Sequence, residues 1–143
     1  MVVVHAIVGF TVIAANVVAF AWGGWAWARN QPAVGFWYAL RFAQVAVVLQ
    51  VMLGAILLLL GKAAADLHYL YGVLPIAISL AAEAIRSGAA ERELEGLDFD
   101  SLPKARQGAI ALAIVRRETG IMAVSAGIIV FLALRAAGTT PVI

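Results

Sequence analysis

The chain has 143 residues, of which 64% are hydrophobic and 13% charged, with a mean hydropathy of +0.99. A soluble domain carries about 25% charged residues, so a water-soluble globular fold is excluded. The absence of cysteine excludes disulfides, thiolate metal sites, iron–sulfur clusters and covalently attached c-type haem. The net charge of +2 is too small to indicate a nucleic-acid partner.

Four apolar stretches follow one another, each long enough to cross a bilayer as a helix. The first runs from about Val2 to Ala28 and lacks a basic leading segment, so it reads as a retained helix rather than a signal peptide. Asn30-Gln31-Pro32 breaks the chain after it. The second spans about Phe36 to Leu60 and stops at Gly61-Lys62. The third spans about Asp66 to Arg86. The apolar part of the fourth runs from about Thr119 to Ala137, with a start as early as Leu102 allowed by the pattern. The expectation is an all-α, integral membrane, four-helix up-down bundle forming one domain over residues 1–143. Short linkers force consecutive helices to be antiparallel.

The third linker, residues 87–107, is expected to be a solvated surface segment of mixed charge. Ala89 to Leu97 within it is a candidate short helix, and Ser101 a candidate helix cap. A docking surface for another subunit is the sharper reading of the same charges. Eight lysines and arginines fall on linkers 1 and 3 with their adjoining helix ends, against Lys62 and Arg135 on the other side. The positive-inside rule then places linkers 1 and 3 in the cytoplasm and both termini outside. The expected setting is the cell membrane, as a multi-pass protein of a bacterial inner membrane. Trp22, Trp25, Trp27, Trp37 and Tyr38 read as an aromatic belt at the cytoplasmic interface.

A weak internal repeat underlies the functional reading. His5, Gly9, Ile13 and Ala14 recur at one constant offset as His68, Gly72, Ile76 and Ala77, and His5 and His68 are the only histidines. Both begin helices that run in the same direction and sit diagonally in the bundle, so the imidazoles are expected at one depth. Two such rings can ligate a single haem iron from opposite faces. Gly9 and Gly72, one turn deeper on the same faces, leave space for a flat macrocycle. Polar or small stripes (His68, Gly72, Pro75, Ser79, Glu83 and Arg86; His5, Gly9, Val12, Asn16, Phe20 and Gly23) point both histidines inward. Arg135 and Lys62 are the candidate cations for haem propionates, and Tyr69 and Tyr71 the candidate hydroxyl donors. The competing readings are a headgroup position for the histidines and ordinary snorkelling for the two cations. As a metal site, His5 and His68 with Asp66 would be incomplete for copper or zinc.

Gln50-Val51-Met52-Leu53-Gly54-Ala55, followed by Leu67-His68-Tyr69-Leu70-Tyr71-Gly72, resembles the helix-pair pattern of haem A synthase-type proteins. It also looks like four-helix membrane cytochromes of the b561 kind. The resemblance implies haem b between histidines on different helices; a six-coordinate haem with no open iron position makes electron transfer the expected task. This chain is the size of one haem A synthase half and supplies two histidines, so it holds at most one bis-histidine haem. Asp66 is the only carboxylate near that end, so haem A synthase chemistry is not carried over. Arg41 and Glu83 are expected to pair between helices, or Glu83 with Arg116 or Arg117. A quinone or proton site built on Arg41 and Glu83 is the functional alternative there. Lipid, other membrane subunits or further copies of the chain are the expected partners. A cofactor-free accessory or assembly subunit is the alternative to the haem protein.

Overall fold

In the computed structural model, which describes residues 1–139, each apolar stretch forms one long helix. These are α1 (Val2–Arg29), α2 (Val34–Leu59), α3 (Asp66–Leu94) and α4 (Lys104–Gly138), with a 3-10 turn at Phe99–Ser101. All four are long and apolar enough to cross a membrane. The first two end alike. Asn30 adopts a left-handed φ of 53°, and Gln31 N–H closes on the Ala26 carbonyl at 3.0 Å. Gly61, at φ 74°, lets Lys62 N–H close on the Leu57 carbonyl at 3.0 Å. Both closures satisfy terminal carbonyls that have no partner within the helix.

Residues 87–107, expected as a solvated segment with a candidate helix at Ala89–Leu97 and an early start allowed for the fourth helix, are largely exposed and mostly helical. The alanine- and glutamate-rich stretch after Ser87 extends α3 to Leu94, and α4 is under way by Lys104. These are good helix formers, and polarity alone does not break a helix. The actual connection is residues 95–103. Ser101 does not cap α4: its hydroxyl donates to the Asp98 carbonyl at 2.7 Å, and Pro103 is the N-cap residue. Gln107 Nε2 closes the turn by donating to the Phe99 and Leu102 carbonyls, each at 3.0 Å. With 35 residues, α4 is about 52 Å long against a hydrocarbon core of about 30 Å. The α3–α4 hairpin therefore reaches past the bilayer, tied by an Arg117–Glu93 ion pair of 2.7 Å.

Within the bundle, α1 packs on α2 and α4, and α3 packs mainly on α4 with a thinner contact to α2. α1 and α3 therefore face each other across the diagonal. Antiparallel order brings the start of α1 and the end of α4 to one end of the bundle. One core layer joins Ala19, Phe36, Leu40, Ala82, Met122 and Ala126, and another joins Val12, Ala46, Val47 and Ile129. Between helices in lipid there is no hydrophobic driving force, so close approach of small residues holds them together. Gly23 shows how close: a Cβ there would lie 2.5 Å from the Phe36 ring and 2.9 Å from Ala123 Cβ. Large apolar side chains such as Phe10, Phe42, Leu59 and Phe131 face outward, as a lipid-facing surface requires. Phe20, expected on the inward stripe of α1, is largely exposed and lies over Gly127 of α4. The buried stripe of α1 is Val12, Ala15, Asn16, Ala19, Gly23 and Ala26.

Candidate functional site

Two polar clusters occupy opposite ends of the bundle. At the end where α1 starts and α4 stops, the imidazoles of His5 and His68 meet across the α1–α3 diagonal. Their ring centroids lie 6.0 Å apart, with the planes inclined at 55°. Helix α4 positions His68: its ring nitrogen Nδ1 donates to the Ala136 carbonyl at 3.0 Å. That carbonyl is one of the last in α4 and also accepts from the Thr139 N–H at 3.2 Å and the Thr139 hydroxyl at 2.7 Å. A neutral His68 with its proton on Nδ1 has a free lone pair on Nε2.

Helix α2 positions His5. Gln50 Nε2 lies 3.2 Å from His5 Nε2. An amide N–H can only donate, so His5 Nε2 accepts and Nδ1 carries the proton. His5 Nδ1 and Gln50 Oε1 are both buried without a hydrogen-bond partner. Gly54, one turn along α2 from Gln50, gives the ring room: a Cβ there would lie 3.3 Å from His5 Cε1. Gly9 opposes the Gln50 amide, with 3.0 Å between a Cβ there and Gln50 Nε2. Around Gly72 nothing lies within 4 Å of such an atom, so the open flank of the pair is on the α3 side.

The remaining sequence-predicted residues gather near this end. Tyr69 stands edge-on to His68 at 6.3 Å and accepts a hydrogen bond from the Ala64 N–H at 2.8 Å. The Arg135 guanidinium sits 5.8 Å from the centre of the Tyr71 ring. Lys62 is exposed in the α2–α3 linker. Among the described residues, no group of three His, Cys, Asp or Glu side chains could hold a metal ion. Sequence reasoning did not assign Gln50, Gly54 or Ala136 to the site; the Ala136 contact is through the backbone and has no side-chain signal, whereas Gln50 and Gly54 have one. Both stand in the α2 motif, four apart and so on one helical face, which is the signal that could have found them.

The second cluster lies toward the opposite end. Glu83 of α3 contacts Arg41 of α2, accepts from Gln44 Nε2 at 3.0 Å, and pairs with Arg86 at 2.8 Å. Arg86 also reaches Glu118 of α4 at 3.3 Å and lies 5.4 Å from the centre of the Trp37 ring. The expected Arg41–Glu83 pair is present, whereas Arg116 and Arg117 do not reach Glu83. Every charged group of the cluster has a partner, as charges near hydrocarbon must. Asn16, 1% exposed, is satisfied within its own helix by the Val12 carbonyl at 2.8 Å.

No family model, curated protein or solved structure matches this chain. Fold and site define the class: a four-helix protein fit to span a membrane, with a facing pair of imidazoles at one end and a closed ion-pair network toward the other.

Proposed function

We propose that this chain is a membrane haem b protein that holds one haem between His5 and His68 and carries electrons. The observation that supports it is the pair of rings 6.0 Å apart, with the Nε2 lone pair of His68 left free by its Nδ1 hydrogen bond and that of His5 held only by the Gln50 amide, which an iron would displace. Nitrogens about 2 Å from a shared metal ion put two imidazole centroids about 6 Å apart. A donated Nδ1–H is also the usual way a ligating histidine is held in orientation. The two orphaned polar atoms beside His5 mark a site whose polar groups are incompletely served by the protein alone.

Held by two histidines, a haem would supply one-electron transfer with no iron position open to oxygen or substrate. The protein's part is to hold and orient. Ala136 would hold His68, Gly54 would leave room for the His5 ring and Gly72 would keep the α3 flank clear, while Gln50 would release His5 Nε2 to the iron. Arg135, steadied on Tyr71, offers a cation for a propionate, with Tyr69 and Lys62 near the same end. The positive-inside rule puts this end, with both termini, on the extracytoplasmic side of a bacterial inner membrane. A quinone or an external redox protein would exchange the electron, in a respiratory complex or in an oligomer of this chain.

A second reading rests on the same hydrogen bonds. Gln50–His5 ties α2 to α1, and His68–Ala136 ties α3 to α4, so the histidines also suit a cofactor-free accessory subunit. A reduced-minus-oxidised spectrum of the protein purified from haem-replete membranes separates the two. The sharp α-band of low-spin haem b is expected, and its loss in both His5→Ala and His68→Ala at unchanged helicity. A colourless protein, or a band that survives both changes, overturns the haem reading.

A further inference from the structure

At the end of the bundle opposite the histidines, a groove of about 730 Å³ runs along α4 between α3 and Trp27 of α1. Its walls within the membrane are apolar, including Ile78, Ala81, Ile121, Val124 and Ile128. Its mouth is charged: Arg116, Arg117 and Glu93 line it. Arg117 is paired with Glu93 at 2.7 Å, which leaves one positive charge in excess. That charge is Arg116, which is exposed and has no ion pair among the described residues. The apolar part of α4 begins just after it, so the guanidinium stands where headgroups lie. From Arg116 to Ile128 the helix is about 18 Å long. Half of the hydrocarbon core is about 15 Å thick.

We propose that this groove is a binding site for one anionic phospholipid of the adjoining leaflet, with its phosphate on Arg116 and an acyl chain along the α3–α4 groove. The length fits one leaflet, and the single excess cation complements a single negative headgroup. The indole of Trp27, whose Nε1 stands 2.9 Å from where a Gly120 Cβ would be, forms the other wall at headgroup depth. An interfacial tryptophan there is suited to contact the glycerol region. The site is independent of the haem reading, since it shares no residue with the histidine cluster.

The test is native mass spectrometry of delipidated full-length protein titrated with phosphatidylglycerol or phosphatidylcholine. One phosphatidylglycerol is expected to bind with about fivefold preference, the effect of one cation at an anionic surface. Arg116→Gln should bring the two lipids to parity, and Ala81→Phe, which fills the groove, should remove both. Val124→Trp replaces Ala81→Phe if the latter does not fold. Equal binding of both lipids to the unaltered chain overturns the proposal. So does binding that survives a filled groove, displacement of the lipid by inorganic phosphate, or a second copy of the chain covering Val124.

Discussion

Gln50 on α2 places its amide nitrogen 3.2 Å from Nε2 of His5 on α1, and that contact ties together residues 45 positions apart in the sequence. A neutral hydrogen bond of this kind contributes about 1 kcal/mol net. Gln50→Leu is expected to lower the stability of the bundle by about that amount in mild detergent. His5→Ala made in the Gln50→Leu background should then cost less than it does alone, because the two changes remove one interaction. Thermal unfolding of the two single variants and the double variant measures the coupling. Strictly additive losses would mean that the contact carries no stability.

The Glu83 cluster predicts an order of sensitivity. Glu83 bonds to Arg41, Gln44 and Arg86, so Glu83→Gln leaves two guanidinium groups short of their counter-charge. A loss of about 3 kcal/mol is expected, at the low end for breaking a desolvated pair. Arg41→Gln should cost less, about 1 kcal/mol or below, since the Arg41 side chain is 49% exposed. Unfolding midpoints in one detergent test the ranking. A more damaging Arg41→Gln would contradict it.

Two adjacent glycines of α1 should respond in opposite ways. Gly23 faces Phe36 and Ala123 at distances a methyl group cannot share, whereas Gly24 has nothing within 4 Å of the same position. Gly23→Ala is expected to destabilise by about 1–3 kcal/mol through overpacking. Gly24→Ala should be neutral or slightly stabilising, because alanine is the better helix former. Comparing the two variants by thermal unfolding cancels any general effect of changing α1.

The inside–outside assignment predicts the behaviour of reporter fusions. A reporter active only outside the cytoplasm should be active when fused after Ile143 and silent when inserted at Gly96 in the α3–α4 turn. The reverse pattern would invert the orientation given by the eight cations on linkers 1 and 3 and their adjoining helix ends.

The sequence by itself determined that there are four apolar helices, roughly where they lie, and that neighbours run antiparallel. Hydrocarbon length sets the span, short linkers set the direction, and Asn30 and Gly61 end two helices by their own backbone preference. Composition also supplied the two histidines on helices of like direction and the Arg41–Glu83 pair. The charged third linker was legible as exposed but not in how far α3 and α4 extend through it, because polarity marks exposure to water and a solvated helix is as polar as a loop. Only the tertiary structure decided that Gln50 and Gly54 of α2 serve His5, and that the carbonyl of Ala136 holds His68. It also turned Phe20 outward over Gly127. Those outcomes depend on how helices rotate and how far they slide against each other. In a chain where nearly every face is apolar, close contacts between small residues fix that rotation, and periodicity along one helix carries no record of them.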